Sequence, residues 1–206
     1  MNQIQERLFV KAAHNQIPIM SALELLPVCN LKCKMCYVRM SMDEVNRAGG
    51  LKDGAWWLEI ARQMRDEGML YPLLTGGEPF LHPDFRMILA GMLEMGLQVS
   101  INSNATMIDE ETARWLSTHR PVRINITLYG ASPESYQKLC GNADAFNRVM
   151  KALEYLKQYE IPVKFNTSVT PDNVDELEQI LDIANNYGSP IQIATYMFPP
   201  TRRDPS

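Results

Sequence analysis

The sequence predicts an α/β fold, a parallel sheet with helices outside it. Three observations carry that prediction. Six short runs are apolar or alternate apolar with polar residues, segments with helical spacing lie between them, and the linkers are short. Right-handed crossovers then leave two main arrangements, an open doubly wound sheet or a curved, barrel-like one.

The first strand is the apolar run from Ile17 to Val28, closed by Pro27. Lys52 to Glu67 has helical spacing, with Trp56, Ile60 and Met64 on one stripe and Gly68 ending it. The adjacent Trp56 and Trp57 predict one core ring and one partly exposed ring. Met69 to Leu74 is a short strand stopped by Thr75-Gly76-Gly77. Asp84 to Glu94 is helical and closed by Gly96, and Leu97 to Asn102 alternates like a strand. The next helix spans Asp109 to Thr118 and the next strand Val122 to Leu128. A helical stretch from Pro133 to Tyr159 is interrupted at Gly141-Asn142. Pro162 to Val169 reads as a strand, Asp172 to Asn186 as a helix with Asp172 as N-cap, and Ile191 to Met197 as the last strand. The expectation is six strands with five intervening helices, in one domain over residues 1–206.

Composition excludes several classes. The 206 residues, 46% hydrophobic and 21% charged, suffice for one sizeable core. A net charge of -4 gives no support for a nucleic-acid surface. No apolar stretch approaches the ~20 residues of a membrane span, and Met1 to Arg7 lacks a signal-peptide apolar region. These features, and the thiols below, predict a reduced, cytoplasmic protein with neither membrane nor nucleic acid as partner.

Cys29, Cys33 and Cys36 form a C-x3-C-x2-C array directly after the first strand. Three thiolates from one loop leave one iron of a four-iron cluster open to a non-protein ligand, which is a chemical opening. A structural zinc site calls for a fourth Cys or His at fitting spacing, and Cys140, His14, His82 and His119 supply none. An electron carrier of ferredoxin type supplies four thiolates per cluster. Disulfides are disfavoured by the crowding of these cysteines and the missing secretion signal. Cys140 reads as a small buried residue.

The other unusual polar motifs also fall at strand ends: Gly76-Gly77-Glu78, Asn102-Ser103-Asn104, Thr127 to Gly130 and Asn166 to Ser168. In a barrel-like sheet those ends form one rim, where chemistry gathers. Paired glycines permit close approach of a ligand, or a turn that a side chain would obstruct. Glu78 adds a carboxylate able to accept from an ammonium group. Taken singly, each of these polar groups also reads as an ordinary turn or loop residue, and Met197 as core filling. Their convergence is the bottom-up argument for a single site.

The cysteine loop followed by Tyr37, the Gly76-Gly77-Glu78-Pro79 turn and Asn125-Ile126-Thr127-Leu128-Tyr129-Gly130 resemble radical S-adenosylmethionine (SAM) enzymes, in the expected order from about Ile17 to Arg203. Tyr129-Gly130-Ala131-Ser132 and Tyr196-Met197-Phe198-Pro199-Pro200 are similar to the peptide-modifying maturases with a C-terminal cysteine-rich (SPASM-type) domain. The resemblance implies a partial (β/α)6 TIM-like barrel, open on one side. It also implies a [4Fe-4S] cluster on Cys29, Cys33 and Cys36, with SAM on the fourth iron. Met35 would then contact adenine, with Tyr37 shaping the loop beside it. Gly76, Gly77 and Glu78 would receive the SAM amino group. Ser103 or Asn104, Thr127 and Asn166 would hold ribose and carboxylate, and Met197 would line the adenine pocket. Reductive cleavage of SAM to methionine and a 5′-deoxyadenosyl radical would follow, then hydrogen abstraction from a substrate, a peptide or a small molecule. An external one-electron donor of flavodoxin or ferredoxin type is implied as partner.

The sequence departs from that pattern in places. Tyr129 stands where many relatives carry aspartate, and Asn104-Ala105 replaces Asn-Gly. The chain ends at Ser206 with no cysteine after Cys140, so it reads as a core truncated after the sixth strand, without the cysteine-rich domain. Two competing expectations are a non-catalytic iron–sulfur protein and a fragment that binds without turnover.

Overall fold

The computed structural model describes residues 3–195. Six strands form one sheet, β1 (Met20–Leu26), β2 (Tyr71–Gly76), β3 (Ser100–Ser103), β4 (Arg123–Thr127), β5 (Val163–Ser168) and β6 (Ile191–Ala194). The sheet order is strictly sequential and every pairing is parallel. A doubly wound sheet reverses direction at a switch point, and none exists in this order. Each crossover therefore turns the same way and the intervening helices share one face.

The register assigns every side chain to a face. Leu74, Ile101, Ile124, Ile126 and Phe165 point to the helices and are fully buried. Burying one such side chain contributes about 2 kcal/mol, so this face fixes the register. The opposite, inner face carries Ser100, Asn102, Asn125, Thr127, Lys164 and Asn166, set side by side through the pairs Asn102↔Asn125, Asn125↔Lys164 and Thr127↔Asn166.

Helices α1 (Gln3–His14), α2 (Met42–Arg47), α3 (Gly54–Asp66), α4 (Phe85–Glu94), α5 (Glu110–Thr118), α6 (Pro133–Cys140), α7 (Asp144–Gln158) and α8 (Leu177–Tyr187) complete the description. Asp53 and Asp109 cap α3 and α5 by accepting from Trp56 and Thr112 amides at 2.8 Å each. The Pro133 to Tyr159 stretch breaks where expected, with Gly141 in the left-handed region at φ 71° as C-cap of α6. Trp56 is exposed, while Trp57 packs on the core, edge-on to it at 4.9 Å.

Three expectations need correction. Two further helices exist, α1 ahead of the first strand and α2 after the cysteine loop, the latter opened by a Ser41–Glu44 capping box. Asp172 is not an N-cap. Its carboxylate pairs with Lys34 Nζ at 2.7 Å, and α8 starts at Leu177 after a single 3₁₀ turn, Val174–Glu176. The delay comes from Asn173, whose buried side chain donates to Tyr129 O at 2.9 Å and Ser168 O at 3.0 Å and holds the chain in a loop. Finally, β2 runs on through Gly76, because Gly76 pairs with Leu26. Among the described residues no helix is long and apolar enough to cross a membrane.

Candidate active site

The cysteine loop leaves β1 and is pinned from two sides. On one side, Lys32 and Lys34 amides donate to Cys140 O and Leu139 O at 2.9 Å each, docking the loop on the C-terminal end of α6. On the other, Gly77 N donates to Leu26 O at 2.7 Å and Glu78 N to Val28 O at 3.0 Å, tying the end of β2 to the chain that enters the loop. The glycines are explained by this contact. A Cβ on Gly76 or Gly77 would lie 2.2 Å from the Leu26 or Val28 carbonyl oxygen respectively, and Gly76 has φ 132°. Of the two roles open to the paired glycines, the structure shows the tight turn against backbone.

Cys29, Cys33, Cys36 and Cys140 form no disulfide with one another, and Cys33 and Cys140 are buried. The sulfurs already receive N–H groups: Leu31 N to Cys29 Sγ at 3.4 Å, Asn104 Nδ2 to Cys29 Sγ at 3.5 Å, and Arg39 N to Cys36 Sγ at 3.3 Å. Such donors stabilise thiolate charge, which is what an iron–sulfur cluster requires of its ligands. Among the described residues, no three His, Cys, Asp or Glu side chains converge on one ion position. A four-iron cluster does not need that convergence, because each thiolate binds a different iron. The donor set thus fits a [4Fe-4S] cluster.

Thiol chemistry in the loop is uneven. A hydrogen bond from the Cys140 thiol pulls Cys33 down to about 7 against its burial, with a smaller contribution from the Tyr129 hydroxyl. The same contact and burial push Cys140 up. Burial raises Cys29 to about 11. Cys140 is buried as expected. Its contact with Cys33 was not legible, because about a hundred residues separate them.

Glu78 is fully buried, and burial pushes its carboxyl up to about 7. Ser103 Oγ donates to one oxygen at 2.8 Å, Asn104 N to the other at 2.8 Å, and Phe80 N to the first at 3.3 Å. Asn104 bridges onward from its side chain to Cys29 and to Asn30 Oδ1 at 3.0 Å, and it accepts from Thr106 Oγ1 at 2.6 Å. The Gly-Gly-Glu turn, the Asn-Ser-Asn segment and the first cysteine therefore form one connected network. Thr127 and Asn166 are register partners on the inner face, both half-buried. Met35 packs at the edge of the core, and Tyr37 stands exposed. Met197 lies outside the described residues.

The inner face opens into a cavity of about 280 Å³ that runs from Asn166 and Ser168 at the rim down to Lys164 and Arg123, with Asn102, Asn125 and Gln192 also in its walls. Sequence reasoning missed Arg123, Asn125, Lys164 and Gln192. Their signal was present in the alternation Arg123-Ile124-Asn125-Ile126-Thr127 and Lys164-Phe165-Asn166, where every second residue is polar.

The sequence model of the Radical SAM superfamily matches residues 23–184, and the chain belongs to that superfamily, whose members use SAM and a [4Fe-4S] cluster. Among its relatives is the AdoMet-dependent heme synthase of Methanosarcina barkeri (strain Fusaro / DSM 804), 28% identical over 198 residues, covering 94% of this chain and 55% of the relative. Another is the antilisterial bacteriocin subtilosin biosynthesis protein AlbA of Bacillus subtilis (strain 168), 26% identical over 174 residues, 84% of this chain and 38% of AlbA. In fold the chain is similar to Streptococcus suis SuiB, with a TM-score of 0.77 at 21% identity, covering 98% of this chain and 46% of SuiB. SuiB solved with S-adenosylmethionine superposes with a TM-score of 0.72 at 20% identity, covering 94% and 45%. With precursor peptide SuiA bound the TM-score is 0.74 at 20% identity, covering 93% and 43%. The chain thus spans 38% to 55% of the length of these two curated relatives. The expected α/β, barrel-like parallel architecture holds.

Proposed function

We propose that this chain is the core of a radical SAM enzyme in which Cys29, Cys33 and Cys36 ligate a [4Fe-4S] cluster. The observation that carries this is the placement of three cysteines, two of them (Cys29 and Cys36) already facing N–H donors, beside the Gly-Gly-Glu turn at the C-terminal rim of a sequential parallel sheet. Held by these cysteines, such a cluster would supply the electron for reductive cleavage of SAM to methionine and a 5′-deoxyadenosyl radical, the species that would take hydrogen from a substrate.

The residues divide that work. Cys33 is the ligand whose thiol lies below its ordinary value, a shift that favours its thiolate. Both Glu78 oxygens are held by protein donors, so its carboxylate braces the turn while the Gly76–Glu78 backbone meets the SAM ammonium group. Asn104 links that brace to Cys29. Thr127 and Asn166 offer adjacent polar groups to SAM ribose and carboxylate, with Ser103 acting through Glu78. Met35 and Met197 would border adenine. The exposed side of the loop, with Tyr37 and Lys34, faces an external donor of flavodoxin or ferredoxin type. The substrate is a peptide or peptide-derived molecule, a reading supported by the bacteriocin role of AlbA and by the peptide held in SuiB. Four cysteines without a disulfide between them suit a reducing, cytoplasmic setting.

The test is anaerobic reconstitution with iron and sulfide, then dithionite and SAM, assaying 5′-deoxyadenosine in the wild type and in Cys33→Ala. Product in the wild type, lost in the variant, is expected. A cluster that forms and leaves SAM intact supports the electron-transfer or binding-only reading instead.

A further inference from the structure

The inner face of β3 to β6 is polar except at Ala194, and its charge has one sign. From β2 to β6 the charged side chains on that face are Arg123 and Lys164, both positive, in a protein of net charge -4. Among the described residues neither forms an ion pair. Arg123 Nε donates to Asn125 Oδ1 at 3.0 Å, and Lys164 Nζ donates to Gln192 Oε1 at 2.7 Å. Asn125 Nδ2 in turn donates to Asn102 Oδ1 at 2.8 Å. Glu24, the acid on this face, lies on β1 at the far edge of the sheet and has interactions of its own. Neutral amides thus orient two cations into the cavity without neutralising them. An ion pair formed there by a ligand would meet a guanidinium fork suited to an oxyanion and an ammonium beside it.

Position along the strands gives the cavity its scale. Lys164 lies one pleat repeat, roughly 7 Å, below Asn166, and Arg123 lies two repeats, roughly 13 Å, below Thr127. The SAM-facing rim and the cations are therefore separate levels of one channel. Beyond Arg123 and Asn125 a second cavity of about 410 Å³ continues toward the N-terminal ends of the strands, where Tyr71 and Leu73 line it and Phe9 of α1 stacks on Tyr71 at 5.7 Å.

We infer that the channel binds a substrate by an oxyanion, a carboxylate or a phosphate, held by Arg123 and Lys164 about 7 to 13 Å below the rim where hydrogen is abstracted. The substrate then carries its reacting C–H at one end and its anion at the other, with an apolar portion able to extend onto Tyr71 and Phe9. This rests on the reading of the rim as a SAM site.

The test is calorimetric titration of the anaerobically reconstituted protein with succinate, with pyrophosphate, and with uncharged succinamide as control, repeated in Arg123→Gln and Lys164→Gln. Saturable binding of an anion but not of succinamide is expected, weakened at least tenfold in each variant and unaffected by saturating SAM. Preference for succinate assigns a carboxylate, and preference for pyrophosphate a phosphate. Circular dichroism melts check folding of each variant, and either variant alone decides the outcome if the other fails to fold. No saturable binding, or binding undiminished in a folded variant, overturns the inference. So does displacement by SAM, because the cations would then hold SAM's own carboxylate. A protein that cleaves SAM yet binds neither anion overturns this inference alone. One that binds the anion and never cleaves SAM overturns the rim reading, and with it the assignment of the anion to a substrate.

Discussion

At the end of β2, Glu78 is fully buried and both its oxygens are taken by Ser103 and Asn104. Two and three strands further on, Arg123 of β4 and Lys164 of β5 face a cavity and, among the described residues, donate to amide oxygens alone. The contrast separates two kinds of polar residue in one sheet. Around the cysteine loop, polar groups are consumed by the protein itself, and the geometry they hold has no slack. On the inner face of β4 to β6, they are oriented and left available. The first half is built to hold one fixed arrangement, and the second to meet a ligand from outside.

The comparison can be broken most severely at Gly77. Its Cβ would lie 2.2 Å from Val28 O and 2.5 Å from the carbon that bears it, with backbone on both sides and nothing flexible to move. Gly77→Ala is expected to cost at least about 3 kcal/mol in urea unfolding. A cost under about 1 kcal/mol would show that the turn has the slack denied it here.

Glu78 gives a comparable effect that depends on pH. Its carboxyl is raised from 4.5 to about 7 by burial. Between those values the folded state holds a proton that the unfolded state has released, so stability is highest at low pH and falls as pH rises toward 7. The loss amounts to about 3 kcal/mol. Glu78→Gln is expected to remove that slope from apo-protein stability between pH 5 and 7. A slope unchanged in the variant would mean that another group carries it.

Asn173 sharpens the boundary between the halves, since it ties Tyr129 O and Ser168 O together. Asn173→Ala leaves two partly buried carbonyls without this donor, an expected loss of about 2 kcal/mol. The smallest effect belongs to the open half. Among the described residues Thr167 Oγ1 is buried without a partner, so Thr167→Val is expected to be neutral or stabilising by up to about 1 kcal/mol. A loss above about 1 kcal/mol would mean that this hydroxyl is already engaged.

Much of this organisation was legible in the sequence. Strand and helix order followed from periodicity, most plainly in β4 and β5, where outward positions are buried and inward ones polar, as in Arg123 to Thr127. The rim residues were legible because the topology gathers strand ends whatever the loop details. Asp172 misled because a capping residue is recognised by local pattern, while the loop there is fixed by Asn173 reaching Tyr129, 44 positions away. The contact of Cys140 with Cys33 was hidden for the same reason. The inner-face cations were overlooked because attention went to strand ends, although Arg123 and Lys164 fall on the same period-two pattern that identified the strands.

The account stands most directly on the cluster. Iron and sulfide would be counted in the anaerobically reconstituted protein, and the electron paramagnetic resonance spectrum of the reduced sample recorded with and without SAM. Four irons and four sulfides per chain, lost in Cys33→Ala, with a spectrum that changes when SAM is added, is the predicted result. A chain that takes up zinc in place of iron, or a four-iron cluster whose spectrum is indifferent to SAM, would contradict it.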